Sequence, residues 1–330
     1  MGCRKQMMGD TLSLIERIEQ LLPKKPAEAL SWCGELRGIA LEKRKEDLLV
    51  QEEGLRGRGY IAIAKEHEGR QTLAHAVQWY RRIQQPERSS LLINSVGADY
   101  YQLNANDHAR QWLAAAVHSA VSAQAPQVLY KSLYNLGKVD QREGNLDTAR
   151  IYLEKSLEVA SRTDAGSGMY ALLGSLGSVQ RGLGNLQEAE RLLKNGKQLA
   201  QDNREWTHAL RLGIDAAELL ISMKRYREGG ILFQEAAAAA GERSMFYQEL
   251  RALIGVGKTG FVLGESERAL QALARAEGII RRYPSLGNPV TYETYKYLAL
   301  VYEKLYAHSE EAFRYYVRYR NAVDACSRNE

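Results

Sequence analysis

The sequence predicts an all-α solenoid built from helix hairpins, and three observations carry that prediction. Ala109, Ala149, Ala189, Gly229 and Ala269 recur at a constant spacing of forty residues; a period of about 20 to 50 residues marks stacked supersecondary units sharing one extended core. The residues around two of these positions repeat nearly verbatim: Leu133-Tyr134-Asn135-Leu136-Gly137 leads to Gly144-Asn145-Leu146-Asp147-Thr148-Ala149, and the segment from Leu173 to Gly177 leads to Gly184-Asn185-Leu186-Gln187-Glu188-Ala189. No alternating apolar run of strand type breaks the pattern.

Each repeat divides into two helices. In the first, apolar residues three apart (Leu133 and Leu136, Leu173 and Leu176) precede a small residue, Gly137 or Gly177, that lets a neighbouring helix approach closely. The Gly-Asn pair then ends the helix in the left-handed conformation that these two residues tolerate best. In the second helix Ala149, Leu153 and Ser156, or Ala189, Leu193 and Gly196, fall at i, i+4 and i+7, one face of a 3.6-residue period.

These residues resemble the tetratricopeptide repeat, a helix-turn-helix unit with small residues at its eighth and twentieth positions and large apolar ones at the fourth, seventh, eleventh and twenty-fourth. Six good copies centre on Gly97/Ala109, Gly137/Ala149, Gly177/Ala189, Ala217/Gly229, Gly257/Ala269 and Ala299/Ala312, the last with one extra residue in its turn. A weaker copy is read around Ala64/Ala76, continuing with Tyr80 and Ile83, and a degenerate first one places Ala29, Cys33 and Leu36 on a second helix after the amphipathic stretch Leu12 to Leu22. The resemblance implies a right-handed α-solenoid of about eight hairpins. It is read as one continuous array over residues 1–330, with degenerate repeats at 10–85 and six well-formed ones at 90–325. At the eleventh position Asp140, Gln180 and Gly260 replace the usual large apolar residue, so looser packing is expected there. The forty-residue period resembles a long-period subfamily found in bacterial sensory and regulatory proteins.

The composition supports a globular chain with 45 basic and 40 acidic residues and a net charge of +5. The start Met1-Gly2-Cys3-Arg4-Lys5 is followed by no apolar run, Gln6 stands where a myristoylation motif wants Ser or Thr, and no stretch has the length of a membrane span, so a cytoplasmic protein is expected. Cys3, Cys33 and Cys326 share no metal-type spacing, and Cys33 reads as a buried small residue. Ala165-Gly166-Ser167-Gly168 and the segment from Pro284 to Pro289 read as turns between repeats.

No catalytic, cofactor or metal site is expected. The segment Ala252-Leu253-Ile254-Gly255-Val256-Gly257-Lys258-Thr259 meets a relaxed phosphate-loop pattern, but a phosphate loop needs a preceding strand and free backbone N–H groups at a helix start. Here the segment fills a repeat's first helix, with Gly257 in its small-residue slot. His67 and His75, read as straddling a turn, form no His-Glu-x-x-His run, and Gly174-Ser175-Leu176-Gly177 misses the spacing of a nucleophile elbow. Lys43-Arg44-Lys45 and Arg56-Gly57-Arg58 are read as solvated basic runs, and neither nucleic acid nor membrane is an expected partner.

The resemblance implies a concave surface lined by the first helix of each repeat, through positions 2, 5, 9, 12 and 13. Position 2 gives Leu91, Lys131, Ala171, Arg211 and Arg251, and position 9 gives Ala98, Lys138, Ser178, Glu218 and Lys258. Position 5 gives Asn94, Tyr134, Gly174, Ile214 and Ile254; Arg142, Arg181, Tyr101, Ile221 and Phe261 come from positions 12 and 13. Asn135 sits at position 6, where the family often uses Asn to bond a ligand backbone, while Ser95, Ser175 and Asp215 stand there in other copies. The expected peptide-binding set is therefore Lys131, Tyr134, Asn135, Lys138, Arg142, Arg181, Arg211, Arg251 and Lys258. Seven of these are basic, against the single acid Glu218 at the lining positions, so a protein or peptide with an acidic segment is the expected partner. The expected function is a non-catalytic scaffold or adaptor in bacterial signalling or regulation. The alternative is a peptide-sensing regulator of gene expression acting with a separate effector.

Overall fold

The computed structural model describes residues 2–163, 168–284 and 288–327, with side chains over 11–163, 168–284 and 290–325. The side chains of Cys3 and Cys326, and most of the two turn segments after residues 163 and 284, lie outside this range. Among the described residues the structure is helical and contains no strand. Contacts group the chain into two compact units, Met1–Ala165 and Gly166–Glu330.

The first unit holds α1 (Gly2–Leu21), α2 (Pro26–Glu42), α3 (Glu46–Ala62), α4 (Glu66–Arg82), α5 (Pro86–Gln102), α6 (Asn106–Ser122), α7 (Pro126–Arg142) and α8 (Leu146–Ser161). The second holds α9 (Gly168–Gly182), α10 (Leu186–Asp202), α11 (Trp206–Ser222), α12 (Tyr226–Glu242), α13 (Phe246–Leu263), α14 (Ser266–Arg282), α15 (Asn288–Leu305) and α16 (Glu310–Ser327). Within each unit consecutive helices pair as hairpins, and the first helices of neighbouring repeats also touch, as in α5 with α7 and α11 with α13. The hairpins match the expected eight.

The forty-residue period has a simple origin in the turns. Helices α3 to α7 are each 17 residues long and are separated by three residues, which sets a step of twenty per helix. In the first unit each turn from α2 to α8 carries one residue with positive φ: Arg44, Ala64, Gln84, Asn104, Gln124 and Gly144. The second unit repeats this at Gly184, Arg204, Lys224, Ser244 and Gly264. The following residue donates its N–H to the carbonyl five residues back, as in Lys65 to Tyr60 (2.9 Å), Asn145 to Asp140 (2.9 Å) and Glu265 to Gly260 (2.8 Å). This is the 6→1 bond of a Schellman turn, and it occupies carbonyls that a helix end otherwise leaves unpaired. Helices α2, α5 and α7 then restart with Pro at the first or second position, where a missing N–H costs nothing.

The core forms where the second helix of a hairpin meets the small residue of the first. A Cβ on Gly97, Gly137 or Gly257 would lie 2.6, 2.7 or 2.5 Å from Cγ of Leu113, Leu153 or Leu273, each of which is fully buried. Burying such a leucine contributes about 2 kcal/mol, and a side chain at the facing position would displace it. The same contact corrects the register of the second repeat. Its small residues are Gly57, facing Leu73 at 2.7 Å, and Gly69, facing Ile61 at 2.8 Å. Ala64 is instead the positive-φ turn residue (φ 60°), and Ala76 lies further along α4. His67 and His75 accordingly share α4 and do not straddle a turn.

Packing at the eleventh positions is also tighter than expected. Asp140 is buried and takes the guanidinium of Arg110, which also reaches Glu143. Gln180 is buried and accepts a 2.8 Å bond from Asn185 Nδ2, and the space beside Gly260 is closed by Ala269, 3.1 Å from an ideal Cβ. Polar residues at these sites are satisfied by a partner, so they cost little when buried. Arg58, read as part of a solvated run, donates to Asp99 at 2.6 and 3.0 Å and is half-buried. Lys43, Arg44 and Lys45 form the turn between α2 and α3.

Candidate functional site

The expected site residues fall on first helices in both units, and the two sets differ in how their charge is used. In the first unit α7 presents Lys131, Lys138 and Arg142 at i, i+7 and i+11, one stripe of a helix. Lys131 is exposed and Lys138 half-buried, and neither has an ion-pair or hydrogen-bond partner among the described residues. Arg142 is exposed; it donates to Asn104 Oδ1 (2.9 Å) and to the Tyr101 carbonyl, and its guanidinium lies 3.4 Å above the Tyr101 ring. All of these acceptors are uncharged, so the stripe keeps three positive charges.

Tyr134 and Asn135 lie between those cations on α7, both half-buried. Asn135 Nδ2 donates to Asn94 Oδ1 of α5 at 3.1 Å, and Ser132 Oγ approaches the same oxygen at 3.1 Å. Asn135 therefore spends a donor on joining two repeats.

In the second unit the expected cations are paired, with one exception. Arg181 at the end of α9 is exposed and has no partner among the described residues. Arg211 meets Asp215 at 3.4 Å; Arg251 meets Glu218 at 2.9 Å and Asp215 at 3.4 Å; Lys258 meets Glu293 at 2.7 Å. Burial pushes the Asp215 carboxyl above its usual range, with Arg251 and then Arg211 pulling it back. The expected excess of positive charge is cancelled along α11, α13 and α15. Sequence reading of the lining positions missed Glu293 and gave no weight to Asp215. Asp215 lies four residues from Arg211 on α11 and 36 from Arg251, and Glu293 lies 35 from Lys258, so no single repeat offset marks these partners.

A cleft of about 370 Å³ opens among these three helices, with Tyr247, Tyr292, Arg251 and Lys258 on its walls and Ile221 and Ile254 among its apolar lining. Position 5 is not open surface here: Ile214 and Ile254 are 0% and 2% exposed, and Gly174 is covered by Leu212, 2.6 Å from an ideal Cβ. The residues 252–259 that matched a phosphate-loop pattern lie inside α13, where their N–H groups close the helix. Among the described residues no His, Cys, Asp and Glu cluster has the geometry of a metal site, and no helix is long and apolar enough to cross a membrane.

Comparison with known proteins agrees with this architecture. Residues 129–202 match the family model described as tetratricopeptide repeat. No curated protein matches the chain in sequence. Among solved structures, the apo form of RapI superposes with a TM-score of 0.71 at 10% identity, covering 96% of this chain and 86% of that one. The apo form of the quorum sensor NprR from B. thuringiensis gives 0.64 at 15% identity, with 97% and 92% covered. Aspartyl phosphate phosphatase F from Bacillus subtilis gives 0.58 at 11% identity, with 94% and 93% covered. At these identities the likeness is one of fold. The matched model covers residues 129–202, and the described helices continue its hairpin pattern at the forty-residue step, so the fold is that of a tetratricopeptide-type helical solenoid.

Proposed function

We propose that this protein is a cytoplasmic, non-catalytic scaffold that binds a protein or peptide on the first helices of its repeats, and that the primary contact is an acidic segment on α7. The observation that carries this reading is the contrast in charge use. Among the described residues Lys131, Lys138 and Arg142 meet no carboxylate, whereas Arg211, Arg251 and Lys258 are each neutralised by one. Unpaired cations on one face raise the local concentration of acidic ligands and steer their approach, while the neighbouring Tyr101 and Tyr134 supply the less polar contact that affinity needs. In the second unit, described by itself, Arg181 is a further cation without a partner among the described residues, while Arg251 and Lys258, both paired, border the cleft there.

A regulator of gene expression acting through a separate effector is the second reading, favoured by the fold shared with the quorum sensor NprR. Both readings predict peptide binding, and one experiment tests their common basis. Fluorescence anisotropy with a labelled Glu/Asp-rich decapeptide should show binding that weakens as salt rises, because exposed charges are screened beyond about 8 Å at physiological ionic strength. Lys138→Glu with Arg142→Glu should weaken it about tenfold, each exposed charge contact being worth roughly 0.2 to 1 kcal/mol, with the helical spectrum unchanged. Equal affinity of parent and double variant across the salt series would refute the α7 site.

A further inference from the structure

The side of the α15–α16 hairpin turned away from α14 is apolar and open. The inner side is fully engaged: Leu298 and Val301 pack with Ala269 and Leu273, while Tyr315 Oη and Arg318 Nη1 both reach Glu277, at 2.9 and 2.7 Å. On the outer side Leu300, Phe313, Tyr316 and Val317 are 39%, 67%, 51% and 39% exposed. Leu300, Phe313 and Tyr316 line a cleft of about 550 Å³ between the two helices, floored by Ala299 and Ala312 and rimmed by Lys296, Glu303 and His308.

Inside the second unit the equivalent cleft is filled. Helix α11 inserts Leu212 between α9 and α10, beside Gly174 and Gly196, where an ideal Cβ would lie 2.6 and 3.2 Å from its methyl groups. No described element plays this part for α15 and α16. An apolar patch of this kind marks a binding surface.

The charge pattern of the rim selects the occupant. Lys296 and Glu303 lie seven residues apart on one face of α15, about 10 Å along the helix, with Ala299 and Leu300 at their midpoint. Lys296 is exposed and meets no carboxylate among the described residues, and its Nζ lies 5.9 Å from the Tyr297 ring. Glu303 is 52% exposed and holds only the long contact to His308 at 3.8 Å and its N–H at 3.5 Å. A two-fold axis through the midpoint lays a second α15 antiparallel to the first. Lys296 then faces Glu303 of the partner subunit, twice, around the shared apolar centre. An isologous interface requires this self-complementarity, in which i meets j and j meets i.

We propose that the outer face of α15–α16 is a homodimer interface, closed by a second copy of this chain about that axis. Sedimentation velocity of the full chain across the micromolar range tests it, with circular dichroism as the control for folding. A concentration-dependent dimer is expected. Lys296→Glu or Glu303→Lys alone should weaken it at least about tenfold, because like charges then face each other twice. The double exchange should restore the affinity to within about threefold of the parent, and Phe313→Asp should abolish the dimer. A parent chain that stays monomeric throughout, with the face left to another partner, overturns the proposal. So does a dimer that is indifferent to both single exchanges.

Discussion

Three glycines of the second unit, each changed to alanine, test the packing argument because they share the chemistry of substitution and differ in what surrounds the new methyl group. Gly278 is exposed on α14, and an added Cβ meets nothing within 4 Å. Alanine there should stabilise the protein by about 0.5 to 1 kcal/mol, the ordinary helix-interior difference. Gly177 lies on α9, where the Cβ would come 3.0 and 3.2 Å from the Leu193 side chain and 3.4 Å from the Ala189 carbonyl. Leu193 must yield by a few tenths of an ångström, and the strain should offset the propensity gain, leaving a change near zero. Gly257 lies on α13, where the Cβ would sit 2.5, 2.6 and 2.9 Å from three atoms of the fully buried Leu273. Overpacking of this kind costs about 1 to 3 kcal/mol, so the net effect should be a loss of about 1 to 2 kcal/mol. Urea midpoints followed by circular dichroism, with the three variants compared in one denaturant series, give the ranking directly. If Gly257→Ala stabilises as much as Gly278→Ala, the close helix approach at the eighth position is not what holds the hairpins together.

Two further outcomes are expected. Ala64→Gly should raise stability by up to about 1 kcal/mol, since a non-glycine residue at positive φ pays about that much, here at φ 60°; thermal melting at unchanged or lower midpoint would refute the strain. Cys33, fully buried, with its thiol pushed up to about 12 chiefly by burial and then by Glu52, should stay unreacted at pH 8 in a Cys3→Ser/Cys326→Ser background. The raised value keeps the thiol protonated in the fold well above the pH at which an unfolded cysteine ionises. Labelling by a thiol reagent should therefore follow urea unfolding and not precede it, and rapid labelling in native buffer would contradict the burial.

The sequence by itself determined the period, the helical class and the identity of the contacts in the best repeats. Gly137 against Leu153 and Gly177 against Leu193 are legible because a small residue and a large one recur at fixed offsets, and because Gly144 and Gly184 mark the turns with the residue that positive φ favours. The second repeat was misplaced by seven residues for the same reason in reverse. Its turn uses Ala64 at positive φ, and the neighbouring turns use Arg44, Gln84 and Asn104, so local chemistry gives no glycine to anchor the register. The turn is imposed there by the packing on either side, chiefly Gly57 against Leu73 and Gly69 against Ile61.

Only the tertiary structure decided which cations remain available. Arg142, Arg211, Arg251 and Lys258 look alike in sequence, but Arg251 finds Glu218 and Lys258 finds Glu293 on adjacent first helices, 33 and 35 residues away, while Arg142 finds an amide, a carbonyl and a ring. Charge pairing depends on distances of a few ångströms between neighbouring helices. Periodicity fixes which helices are neighbours, and the side-chain geometry between them determines which charges meet.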